Sequence, residues 1–119
     1  RVFQDLGRKD APGGDPPGLP RTPGSLRLLA WDEILSGVGN RVVIYQAPGS
    51  VASQKAIYET EMKREGWRPN PAFHRARADG KDLEEFLSME RDGFACDLAF
   101  RRDAVRGLVF TTALYRQAL

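Results

Sequence analysis

Between Leu26 and Tyr115 the apolar positions recur mostly every second residue, and one stretch switches to helical spacing. The clearest period of two is Phe94, Cys96, Leu98 and Phe100 alternating with Ala95, Asp97, Ala99 and Arg101, which predicts a strand with one apolar face. Leu26 to Trp31 and Leu108 to Tyr115 predict further strands. Arg41 to Gln46, apolar and β-branched on both faces, predicts a central one. Asp32 to Asn40 reads as a turn-rich connection closed by Gly37, Gly39 and Asn40. The helical stretch runs from Ser50 to Trp67. Ser50 can cap the first turn, Val51, Tyr58 and Met62 share a face with Ile57 at its flank, and Gly66 ends it so that Trp67 folds back on the sheet.

Arg68 to Gly80 reads as a loop with a short strand around Phe73 to Ala76. Leu83 to Arg91 opens as a turn or helix and becomes strand by Phe86, and Asp92-Gly93 is the pair favoured in a type I′ hairpin. Arg102 to Gly107 makes the next turn. The predicted order is β-β-α-(β)-β-β-β. The fold class is α+β, one principal amphipathic helix on a mainly antiparallel sheet of about five strands.

Composition separates residues 1–25 from a single domain at 26–119. The first 25 residues hold five of the 8 prolines and five of the 12 glycines, with only Val2, Phe3, Leu6, Ala11 and Leu19 apolar. Such a stretch buries little, so it reads as an extended tether along the domain that adds little stability. A chain of 119 residues, 41% hydrophobic, can still bury one modest core. Its net charge of +2 is too slight to argue for nucleic acid. One cysteine, Cys96, excludes an intrachain disulfide. No apolar run approaches the ~20 residues that cross a bilayer. The chain opens on Arg1 rather than Met, a start that a removed signal peptide, a membrane anchor or a chosen boundary within a longer chain would each produce, and membrane contact is expected only through such an anchor.

Tyr45 ending a strand, the helix with Tyr58 and Met62, Gly66-Trp67, the Asp92-Gly93 hairpin and the lead-in Leu19-Pro20-Arg21-Thr22-Pro23-Gly24-Ser25 together resemble small extracytoplasmic domains of bacterial lipoproteins and membrane-anchored envelope proteins. The helix-grip modules of outer-membrane assembly lipoproteins of the BamC kind share this architecture. The resemblance spans roughly residues 19–115. It implies a periplasmic or otherwise extracytoplasmic interaction module, and it brings no catalytic residues. The chain lacks the lipidated cysteine that a lipoprotein would carry.

Candidate chemistry is sparse. His74 is the lone histidine, and Cys96 shares its strand face with Phe94, Leu98 and Phe100, which predicts a buried, inert thiol. Asp79, Asp82, Glu84 and Glu85 lack the ligand spacing of a calcium loop. No GxGxxG or GxxxxGK[ST] occurs, so no cofactor is expected. Two basic segments remain as candidate partner-binding residues: Arg75 and Arg77 beside Arg68, and Arg101, Arg102 and Arg106. The sequence therefore points to a non-enzymatic protein-interaction or scaffold module of a bacterial envelope assembly (secretion, pilus or outer-membrane machinery), taking its protein partner by strand addition. The alternative is a cytoplasmic regulatory or nucleic-acid-binding domain that uses the arginine segments.

Overall fold

The computed structural model describes residues 10–35, 37–70, 84–103 and 105–117. Six strands form one antiparallel sheet: β1 (Leu26–Leu35), β2 (Val38–Pro48), β3 (Arg68–Pro69), β4 (Glu84–Arg91), β5 (Phe94–Asp103) and β6 (Leu108–Gln117). Their order across the sheet is β1-β2-β6-β5-β4-β3. The one helix among the described residues, α1 (Val51–Arg64), packs on β4 and β5. This is the predicted α+β arrangement with six strands rather than about five. The sixth is the two-residue β3; the short strand expected around Phe73 to Ala76 lies outside the described residues.

Local rules account for the ends of the elements. Ser50 closes a capping box with Ser53, its hydroxyl accepting from the Ser53 amide at 3.0 Å while its own amide donates to the Ser53 hydroxyl at 3.2 Å. Gly66, at φ 95, lets the chain leave in the left-handed region. The amide of Trp67 then returns to the carbonyl of Met62 and that of Gly66 to Lys63, a Schellman closure that aims the indole at the core. Asp92 and Gly93 take φ 52 and 82, the two positive values that a type I′ turn requires.

The connection predicted over Asp32 to Asn40 is instead strand almost throughout. β1 runs on to Leu35 and turns directly into β2, with Leu35 opposite Val38 and Gly37 at φ 77. Glycine and acidic residues marked a turn, but cross-strand pairing with a neighbour buried on both faces overrides that local preference. β4 likewise begins as strand at Glu84, not as helix.

The core lies between the sheet and α1. Val43 and Tyr45 of β2, Leu98 and Phe100 of β5 and Val109 of β6 belong to one cluster with Tyr58 and Met62 of the helix, all at 1% exposure or less. Each such side chain contributes about 1.5–3 kcal/mol by leaving water. Tyr58 meets Phe100 edge to face at 5.5 Å.

α1 covers only the β4–β5 half of this face. Residues 10–25, expected to be a tether of little consequence, cover the other half. Leu19 is 8% exposed and belongs to the core cluster, Pro16 and Thr22 are buried, and the indole N–H of Trp67 donates to the carbonyl of Gly18 at 3.1 Å. Two turns shape this strap, with Leu19 N–H bonding Pro16 and Ser25 N–H bonding Thr22 around Pro17-Gly18 and Pro23-Gly24. Gly18 and Gly24, both at φ 74, fit the third position of a type II turn after proline. Proline and glycine in this stretch thus specify turns that press one leucine inward.

Candidate binding site at the free end of the sheet

The strap is fixed by charge. The Asp15 carboxylate accepts from the Tyr45 hydroxyl at 2.6 Å, from Arg27 at 2.9 Å and from Arg21 at 3.3 Å. Asp10 accepts twice from Arg21, at 2.9 Å each, and takes the backbone amide of Arg27 at 2.9 Å. The Arg21 guanidinium in turn lies over the Tyr45 ring, 4.9 Å from its centre. The hydrogen bonds from Arg21 hold the Asp10 carboxyl far below the usual carboxylate range. For Asp15, burial pushes upward, but the bonds from Tyr45 and Arg27 prevail and hold it low. Both folded-state values lie below the unfolded value of about 3.9, so their stabilisation is complete above about pH 5 and fades as the pH falls toward the folded values. Thermal unfolding followed between about pH 7 and pH 3 should show this loss, and Asp15→Asn should start lower at neutral pH and fall less steeply.

The strap also governs an edge. β1 is the long outer strand, and the amide of Ala11 bonds the carbonyl of Arg27 at 2.7 Å on its outer side. Residues 10–13 follow that edge as far as Ala30, where a Cβ on Gly13 would meet the Ala30 Cβ at 2.6 Å. Arg27, Ala30, Asp32 and Ile34 pair with Tyr45, Val43, Arg41 and Gly39, so their side chains share the helix-covered face. In one strand, same-face residues direct their backbone groups to the same edge. The N–H and C=O of Asp32 and Ile34 therefore point outward, as those of Arg27 do. Among the described residues nothing bonds to them.

Beside this free stretch the sheet face dips into a cleft of about 790 Å³ open to solvent. Its floor crosses the sheet at Ile34, Gly39, Gln117 and Phe94, and its inner side is Pro17, the Asp32–Arg41 pair and Tyr115. Ile34 is 77% exposed and Phe94 37%. Phe94 was predicted on the helix-covered face. It is on that face, but past the reach of both helix and strap. An aromatic ladder leads there: Trp67 meets Tyr115 edge to face at 6.3 Å, and Tyr115 stacks on Phe94 at 5.2 Å with the rings 8° apart. Four charged residues line the cleft, Asp32, Glu33, Arg41 and Arg116; Arg41 donates to Asp32 at 2.9 Å, and Arg116 pairs with Asp97 at 3.1 Å.

The arginines singled out in the sequence do not join this cleft. Arg75 and Arg77 lie outside the described residues, as does His74. Arg101 and Arg102 are neighbours on β5 and so project to opposite faces, and Arg106 sits in the following turn with Asp103 3.8 Å away. All three are exposed, at the far end of the sheet from the cleft. Cys96 is fully buried, and burial pushes its thiol up to about 12. Among the described residues no three histidine, cysteine or acidic side chains are placed to hold a metal ion, and no helix is long and apolar enough to cross a membrane.

The sequence signal for the cleft was faint: Phe94 and Tyr115 at the ends of adjacent strands, and a glycine where β2 begins. Comparison with known protein families, curated proteins and solved structures finds no match.

Proposed function

We propose that the protein is a non-enzymatic interaction module that takes up an extended segment of another protein along the free stretch of β1. The observation that carries this is the edge itself. Its first half is already claimed by the chain's own residues 10–13 through a backbone bond, and the adjoining groups of Asp32 and Ile34 point the same way without a partner among the described residues. Unprotected strand edges are templates for another strand, and exposed apolar side chains along them add to the attraction. Leu29 is 54% exposed and Trp31 41%, both beside this stretch. The resemblance to extracytoplasmic lipoprotein domains supports a place in a bacterial envelope assembly, such as secretion, pilus or outer-membrane machinery. Fractionation of native cells tests that placement, and recovery of the protein in the cytosol counts against it.

A photo-crosslinking residue at position 34, used in native cells, should trap the partner. Binding of that partner should then fall at least about tenfold in Ile34→Pro, which removes an outward amide while leaving the β1–β2 ladder intact. It should persist in high salt and in the double variant Arg101→Glu, Arg102→Glu. Binding untouched by the proline but lost in salt and in the arginine variant overturns strand addition and favours the cytoplasmic, electrostatic reading.

A further inference from the structure

We propose that Glu33 and Trp31 form a subsite for an arginine of the added strand, so that the segment taken up along β1 is basic at one fixed position. This rests on the strand-edge reading and adds what the partner must carry.

Backbone geometry sets the position. Asp32 and Ile34 turn their N–H and C=O outward, so a strand added antiparallel bonds at those two residues. Glu33 lies between them, with its side chain on the face of the sheet opposite the helix. Its facing residue then belongs to a pair without direct backbone bonds, the kind in which side chains come closest, at about 4.5–5.5 Å between Cβ atoms. Trp31 is two residues along on the same face, about 7 Å away. A long side chain opposite Glu33 reaches both, the carboxylate directly and the indole on the diagonal. The strap follows the edge no further than Ala30 and does not occupy this place.

Charge selects the occupant. Of the four charged residues lining the cleft at this end of the sheet, Asp32 and Arg41 pair at 2.9 Å, and Arg116 pairs with Asp97 at 3.1 Å. Arg116 is also two strands from Glu33, about 10 Å away across Asn40. Glu33 is exposed and has no ion pair among the described residues, so one negative charge is left over beside the free edge. A base opposite it gains a cross-strand ion pair, and an acid there is repelled. The Trp31 indole, 41% exposed, favours arginine over lysine. A planar guanidinium can lie on the ring and still offer N–H groups to the carboxylate. The chain makes the same ring contact twice within itself, with Arg21 over Tyr45 at 4.9 Å and Arg91 over Trp67 at 5.0 Å.

The probes are acetyl-Thr-Val-Arg-Val-Thr-amide and its counterparts with central glutamine and central glutamate. Each is titrated to about 5 mM against the intact protein while backbone amide and indole resonances are followed. The arginine peptide should shift Trp31, Glu33 and Ile34 saturably and bind about fivefold tighter than the glutamine peptide, with the glutamate peptide weaker still. Glu33→Arg should reverse this order, and Trp31→Leu should cut the arginine preference to about twofold. Both positions are exposed, so the thermal midpoints of these variants should stay within about 3 °C of the intact protein. At about 1 M salt the preference should narrow while binding persists, because the screening length falls to about 3 Å and the backbone bonds are unaffected.

Equal binding of the three peptides, with edge shifts that Ile34→Pro removes, overturns the arginine subsite and leaves strand addition standing. An arginine preference that keeps its order in Glu33→Arg overturns the subsite as well, and one unchanged in Trp31→Leu overturns the part assigned to the indole. Shifts from the arginine peptide that survive Ile34→Pro unweakened show a guanidinium held without a strand, and overturn the strand-borne arginine. No shift with any peptide at the highest concentration overturns the inference altogether.

Discussion

A chain beginning at Ser25 should unfold at least about 10 °C below the intact protein. Truncating a buried leucine alone costs about 2–5 kcal/mol, and Leu19 is 8% exposed within the core. The truncation also removes the carboxylates of Asp10 and Asp15, leaving Arg27 and the Tyr45 hydroxyl without their acceptors. A half-buried group deprived of its partner adds about 1–3 kcal/mol. In a domain of this size each kcal/mol moves the midpoint by roughly 3–6 °C, so even 3 kcal/mol gives the stated shift. Leu19→Ala separates packing from charge and should show the larger part of the fall. A truncated chain melting within about 3 °C of the intact one would show that the strap rests on the sheet without stabilising it.

That expectation reverses what the composition of residues 1–25 suggests, and the reason is specific. Disorder arguments weigh average hydrophobicity, whereas this strap works through few residues placed exactly where two proline-glycine turns put them. One leucine, one buried proline and a carbonyl facing Trp67 are enough, because the sheet face beneath is otherwise half bare. Nothing in the local pattern says that α1 is too narrow for the sheet it covers. That follows only from the strand order, with β1 and β2 lying on the far side of β6.

Elsewhere local signals sufficed. Ser50, Gly66 and Asp92-Gly93 act through one or two residues, so capping and turn chemistry gave the boundaries of α1 and the β4–β5 hairpin. Alternation from Phe94 to Phe100 gave the core face of β5, with Cys96 inside it. The cleft was hidden because it is built from five segments that meet at one end of the sheet, with Ile34, Gly39, Phe94 and Tyr115 far apart in sequence. The same register argument separates Arg101 from Arg102: adjacent in sequence, they cannot share a face of one strand.

Trp67→Ala should be the most damaging single substitution in the described structure, lowering stability by about 3–5 kcal/mol. Trp67 is 2% exposed, lies under the Arg91 guanidinium at 5.0 Å, edges Tyr115 and donates to Gly18. It therefore joins the helix exit, the strap and the ladder that ends at the cleft. Trp67→Phe keeps most of the apolar volume and loses the indole donor, and should cost only about 1–2 kcal/mol. The junction makes a sharper prediction than the size of either effect. In a Leu19→Ala background, where the strap is loosened, Trp67→Ala should cost at least about 1 kcal/mol less than in the intact chain, because part of its effect has already been spent. Met62→Ala, buried under α1, should cost about 2–5 kcal/mol and the same in both backgrounds, since Met62 supports the helix half of the face. Denaturant unfolding of the six variants and double variants measures all of these terms. Equal costs for Trp67→Ala in both backgrounds would mean that strap and indole are fixed independently, and that the bond from Trp67 to Gly18 is a consequence of packing rather than its cause.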